Sequence, residues 1–142
     1  MNLILLEEDQ FISANTIRLT GRQFNHMMQV NRAKVGEKFI CGQVNGNTGK
    51  VEVTSISSDA MEMEVQLEQD PPDPLPLKLI LALPRPKMLR RIIESVTGMG
   101  IKQLFLVNSW RVEKSYWQTP FLEPQALRQY MIAGLEQARD TR

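Results

Sequence analysis

Two kinds of hydrophobic spacing follow one another along the chain. Over residues 61–67 the order is strict: Met61, Met63, Val65 and Leu67 fall on one side, Glu62, Glu64 and Gln66 on the other. A period of two is that of a strand with one buried and one wet face. Shorter extended stretches lie at 2–6, 17–20, 38–41 and 50–55. Between the last two, Gly42 and Gly49 enclose Asn45, Gly46 and Asn47, hairpin-turn residues that tolerate positive φ. At 22–30 the rhythm becomes helical, with Phe24, Met27, Met28 and Val30 as packing positions. Several short strands in so short a stretch predict a small antiparallel β-barrel.

Beyond residue 76 the spacing changes. Residues 77–83 (LKLILAL) are almost continuously apolar, as in a strand covered on both faces, and 103–107 (QLFLV) read the same way. Between them Leu89, Ile92, Ile93 and Val96 predict a helix over 88–98, ended by Gly98 and Gly100. Strand, helix and strand in this order form a right-handed βαβ unit with parallel strands. A further helix is predicted over 124–138, opened by Pro124 and carrying Leu127, Tyr130, Met131 and Leu135 on one side.

The two regimes meet at Asp70-Pro71-Pro72-Asp73-Pro74-Leu75-Pro76, whose prolines exclude helix and central strand and favour an extended spacer. The expected organisation is α+β overall: a barrel over 1–70, a proline-rich linker over 71–76 and an α/β module over 77–142. Two buried strands leave most sheet edges open, so the second module reads as the first part of a larger α/β domain.

Charge follows the same division. The 142 residues carry 17 Lys+Arg and 16 Asp+Glu, a net +1. Residues 1–76 hold six basic and eleven acidic side chains, −5, whereas 77–142 hold eleven and five, +6. The second module is therefore the one suited to an anionic partner. A composition 42% hydrophobic and 23% charged is globular rather than disordered. No apolar run reaches the roughly 18–20 residues that span a bilayer. The opening MNLILLEEDQ lacks the basic start of a signal peptide, and lone Cys41 excludes a disulfide framework and a cysteine-built zinc site. A soluble cytoplasmic protein without membrane contact or metal is expected.

The densest candidate chemistry is Pro84-Arg85-Pro86-Lys87-Met88-Leu89-Arg90-Arg91, which leaves the first apolar strand and opens the next helix. In open α/β sheets ligands bind beyond the carboxyl ends of strands, and helix starts favour anions. Four cations there read either as a phosphate-contacting edge or as a solvated helix start. After the second strand the equivalent position is Asn108-Ser109-Trp110-Arg111, followed by Lys114, Tyr116 and Trp117. These aromatics suit either stacking on bases or a core. The single histidine, His26, lies near Arg32 without the partners of a catalytic triad or a metal site, and reads as structural or RNA-touching. No nucleotide-binding glycine loop is present.

At these residues the chain resembles the RsmE family of SPOUT RNA methyltransferases. His26-x-x-x-Val30-x-Arg32 followed by Gly36-Glu37 is similar to the family's His-x-x-x-Val-Leu-Arg-x-x-x-Gly segment. Lys87-Met88 and the helix to Gly100-Ile101 resemble its Lys-Met…Glu-Leu-Gly-Val segment, Asn108-Ser109-Trp110-Arg111 its Ser-x-Arg loop, and Glu136-Gln137 with Arg142 its Glu-Gln…Arg motif.

The resemblance implies an N-terminal PUA-like β-barrel that helps to hold RNA and a SPOUT domain of which only the first part is present. It implies methyl transfer from S-adenosylmethionine to N3 of a uridine in 16S (small-subunit) ribosomal RNA, by a homodimer. Implied RNA contacts are His26, Arg32, Arg85, Lys87, Arg90, Arg91, Asn108 and Arg111, with charge stabilisation from Arg111 and Arg142. Two departures stand out. Gly98 replaces a family glutamate, and the Gly-Pro-Glu-Gly-Gly loop and Leu-Arg-x-Glu-Thr-Ala segment of the cofactor-binding knot do not occur in the 142 residues. Cofactor contacts are therefore expected C-terminal to Arg142, and the chain alone is expected to be inactive. The alternative is a stand-alone RNA-binding module without catalysis.

Overall fold

The computed structural model describes residues 2–142, so Met1, which the sequence reading includes in the barrel, lies outside the described residues. The chain divides into two compact units, residues 2–71 with 141–142, and residues 72–140.

The first unit is a curled six-stranded sheet, a half-barrel, in the order β1-β4-β5-β6-β3-β2. Its strands are β1 (Ile4–Leu6), β2 (Phe11–Ser13), β3 (Thr16–Thr20), β4 (Lys38–Gln43), β5 (Thr48–Ile56) and β6 (Ala60–Gln69). All neighbours are antiparallel except β1, which runs parallel to β4. The period-two reading of β6 holds in three dimensions: Met61, Met63 and Val65 are buried, together with Ile17, Leu19, Val51 and Val53 from its neighbours. Asn45, at φ 60°, makes the hairpin between β4 and β5, where Gly46 N–H donates to Gln43 O at 2.8 Å. The last residues of the chain pack with this unit. Thr141 is buried, accepts from Asn45 N–H at 2.7 Å through its carbonyl and donates from Oγ1 to Gly46 O at 2.6 Å.

The helix expected over 22–30 is shorter and of two kinds. Helix α1 (Gly21–His26) passes into a wider π-helical turn, Met27–Asn31, which Arg32 ends in the left-handed region at φ 54°. Phe24 and Met27 are buried as anticipated, but the wider turn rotates Val30 outward to 66% exposure. Gln23 seats α1 by donating from Nε2 to Leu5 O at 2.7 Å and accepting from Gln10 Nε2.

In the second unit β7 (Lys78–Ala82) and β8 (Gln103–Val107) pair in parallel, joined by α2 (Pro86–Gly98), and α3 (Pro124–Ala138) follows two short 3-10 turns. The expectation that both strands are covered on both faces does not hold. Leu104 and Leu106 pack with Leu83, Leu89, Ile93, Phe121 and Leu127, whereas Ile80 and Phe105 on the opposite face stand 69% and 51% exposed. Alternation was hidden in the sequence because both faces carry apolar residues. Of the predicted inner side of α3, Leu135 is buried and Met131 stays exposed.

Glycines set the helix geometry here. Gly100, at φ 83°, closes α2: its N–H donates to Thr97 O at 3.0 Å and Ile101 N–H to Val96 O at 3.3 Å, the paired bonds of a Schellman cap. Gly134 lets α3 cross α2 at backbone distance, since a Cβ there would lie 2.5 Å from Glu94 O and 2.9 Å from Thr97 Cβ. Gly98 faces the same crossing less tightly, since a Cβ there would lie 3.5 Å from Gly134 O, an ordinary van der Waals contact. Alanine at 134 gains helix propensity of about 1 kcal/mol, but overpacking costs roughly 1–3 kcal/mol. Gly134→Ala is therefore expected to lower the thermal midpoint of the helical circular-dichroism signal; an unchanged or raised midpoint would show that the helices separate without cost.

A candidate RNA-contacting edge

Parallel pairing decides where the candidate residues meet. Ala82 stands opposite Val107, and the ladder extends one step further as Leu83 N–H donates to Val107 O at 3.0 Å. Both loops that leave the strands are thus fastened to one edge of the sheet. The first loop leads directly into α2: Arg85 is its N-cap, with its carbonyl accepting from Met88 and Leu89 N–H at 2.8 and 3.2 Å, and Pro86 takes the first helical position. Arg85, Lys87 and Arg91 are exposed.

Arg90 is differently placed. Its Nε donates to Glu94 Oε1 at 2.7 Å, one helical turn on, and its guanidinium lies 5.9 Å from the centre of the Tyr130 ring. The hydrogen bond to Glu94, and then the charge of that carboxylate, hold its pKa above the ordinary guanidinium value. Arg90 is thus occupied with its own helix and α3.

The second loop begins with exposed Asn108 and Ser109. Val112 N–H donates to Ser109 O at 3.0 Å, so Trp110 and Arg111 occupy the tip of a tight turn. Arg111 is exposed, while Val112 packs against the buried Leu83–Leu89–Ile93 cluster. Of the three aromatics, Tyr116 joins that cluster and donates from its hydroxyl to Glu113 Oε1 at 3.1 Å. Trp110 is almost wholly exposed.

The remaining sequence candidates belong to the first unit. His26 is half-buried at the end of α1 and Arg32 is exposed beyond the π-helical turn, a helix irregularity that often accompanies function. Arg142 also groups with this unit. Arg85, Lys87, Arg91, Asn108 and Arg111 are therefore brought to one edge, and His26, Arg32 and Arg142 lie in the other unit.

The second unit's three glycines, 98, 100 and 134, are used in the end of α2 and its crossing with α3, and none lies on the strand-end loops. Among the described residues no group of three His, Cys, Asp or Glu side chains could hold a metal ion, and no helix is long and apolar enough to cross a membrane.

Comparison with known proteins supplies the family. Residues 71–142 match the RNA methyltransferase domain, and residues 19–66 match the RNA methyltransferase PUA domain. The chain belongs to the RNA methyltransferase domain family. It is 30% identical over 144 residues to the ribosomal RNA small subunit methyltransferase E of Treponema pallidum, covering 100% of this chain and 54% of that protein. The crystal structure of ribosomal RNA small subunit methyltransferase E from Neisseria gonorrhoeae, bound to S-adenosyl methionine, matches with a TM-score of 0.74 at 18% identity, over 99% of this chain and 58% of that one. A Porphyromonas gingivalis protein described as a probable rRNA methyltransferase matches with a TM-score of 0.73 at 13% identity, over 99% and 57%. The chain thus spans little more than half the length of these relatives.

The one thiol of the sequence is shielded from solvent. Cys41 is buried in β4, and loss of solvation pushes its pKa from the ordinary 9.0 up to about 12. The folded chain is expected to resist a disulfide-exchange reagent at pH 8 and to react once unfolded in guanidinium. Because the unfolded thiol ionises first, Cys41 lowers stability as pH rises from about 9 toward 12. Rapid labelling of the native chain would contradict this burial.

Proposed function

We propose that this chain is the RNA-holding part of an enzyme that methylates N3 of a uridine in 16S ribosomal RNA, with S-adenosylmethionine as methyl donor and a homodimer as the working form. The observation that carries the reading is the cationic edge where Arg85, Lys87, Arg91 and Arg111 converge at the carboxyl ends of β7 and β8, in a chain of an RNA methyltransferase family. Phosphate contacts there fix the position of the strand, and the PUA-like unit adds His26 and Arg32 as further RNA contacts.

The chemistry explains the need for positive charge. Uridine N3 carries a proton, which must leave before or as the nitrogen acts as nucleophile. The base then becomes anionic, and a fixed cation near the uracil lowers the cost of that state. Arg111, held on a turn anchored through Val112, is assigned this role. No step of cofactor binding is assigned to the second unit, whose three glycines lie at the end of α2 and its crossing with α3. The chain alone is accordingly proposed to bind RNA without methylating it.

Two measurements test the reading. In fluorescence anisotropy with a single-stranded ribosomal RNA fragment, changing Arg85, Lys87 and Arg91 together to alanine is expected to weaken binding. It should also flatten the dependence of log K on log salt by about 2, from roughly 0.7 per phosphate contact. Unchanged affinity and slope would remove the edge from the RNA site. Calorimetric titration with S-adenosylmethionine is expected to give no heat of binding with the chain alone; saturable binding would show that these residues hold the cofactor.

A further inference from the structure

Trp110 makes none of the phosphate contacts proposed above, yet among the described residues it is the most exposed large hydrophobic one, at 96%. We propose that Trp110 is a stacking platform for an unpaired base of single-stranded RNA whose phosphates lie along Arg85, Lys87, Arg91 and Arg111. This inference rests on the RNA-binding reading of the edge and adds the element that recognises bases.

The surroundings of the indole select the occupant. Residues 84–91 and 108–117 hold five cations besides Arg90, which Glu94 pairs, and one acid, Glu113, which already accepts a hydrogen bond from Tyr116. An apolar protein partner covering Trp110 would have to desolvate these charges without neutralising them. A polyanion with exposed aromatic faces satisfies both the cations and the indole. Duplex RNA keeps its bases stacked inside the helix, whereas a single strand presents them.

The turn is built to present rather than to hide the ring. The bond from Val112 N–H to Ser109 O closes it, Val112 anchors it in the core, and the ladder bond from Leu83 to Val107 fixes the strand end from which it springs. An indole on an anchored turn loses little freedom when a base covers it. Tyr116, by contrast, spends its ring on the core, and Trp117 is only 41% exposed.

Trp110 and Trp117 are the two tryptophans of the chain, so Trp117→Phe leaves Trp110 as sole indole reporter. Titration of that variant with a twelve-nucleotide oligouridylate is expected to quench its emission. The quench should saturate at the same concentration as the anisotropy of the labelled oligonucleotide. Trp110→Ala is expected to weaken binding roughly 5- to 150-fold, the range for loss of one stacked base, without changing the salt slope. Trp110→Phe should recover most of the loss, and duplex RNA of equal length should leave the emission unchanged.

If Trp110→Ala binds as tightly as the parent while the salt dependence persists, stacking is overturned and the phosphate edge stands. If the parent binds no RNA, both readings fall. An emission that shifts to the blue with protein concentration in the absence of RNA would place a second copy of the chain over the indole and overturn the proposal.

Discussion

The parallel pairing of β7 with β8 is the constraint on which the second unit's chemistry depends. Parallel strands put both carboxyl ends at the same side of the sheet, and the register sets Ala82 beside Val107 with Leu83 bonded one step beyond. Two segments separated by the whole of α2 are thereby delivered side by side. An antiparallel pairing of the same strands would have put Arg85 and Arg111 at opposite ends. The cationic edge is thus a result of topology before it is a result of composition.

Electrostatics then sorts the cations that topology gathers. Arg90 is one helical turn before Glu94 and over Tyr130, so its exposed charge already has a partner on its own helix. Arg85, Lys87 and Arg91 project from the first turns of the same helix without that neighbour, and Arg111 sits at a turn tip. A cluster that reads as four equivalent positive charges therefore contains two kinds: Arg90, exposed but paired with Glu94, and three exposed cations without that partner. A similar division holds for the aromatics, where Tyr116 supports the core and Trp110 does not.

Most elements were legible because their periodicity is local. The alternation of Met61, Met63 and Val65 found β6, and the bounds of β8 and α3 follow from apolar spacing with Pro124 as a start signal. Strand β2 (Phe11–Ser13) was not legible: three residues carry no period, and its place is set by pairing with β3. The one-sided cover of β7 and β8 was equally hidden, because apolar residues on both faces look alike whether or not a layer lies over them. For the candidate edge, residue types and loop positions could be read directly, but the withdrawal of Arg90 and the exposure of Trp110 depend on side-chain contacts that spacing does not encode. That Arg142 groups with the half-barrel also lay beyond local pattern, since it follows from Thr141 meeting Asn45 and Gly46, some 95 positions away.

The same geometry separates stability from recognition. A two-stranded parallel sheet with one open face is weak by itself, so the second unit rests on the layer that α2 and α3 make over Leu83, Leu104 and Leu106. That layer is held by the close crossing at Gly134 and by the Lys102–Asp140 ion pair, 2.5 Å long and largely buried. Exposed pairs contribute little, but removing one partner of a buried pair leaves a desolvated charge, which costs far more. The edge residues take no part in this support: Arg85 contributes its backbone to the start of α2, while its side chain, like those of Lys87, Trp110 and Arg111, projects into solvent. Those four side chains can therefore vary while the helix layer keeps the strand ends, and with them the spacing of the two loops, in place.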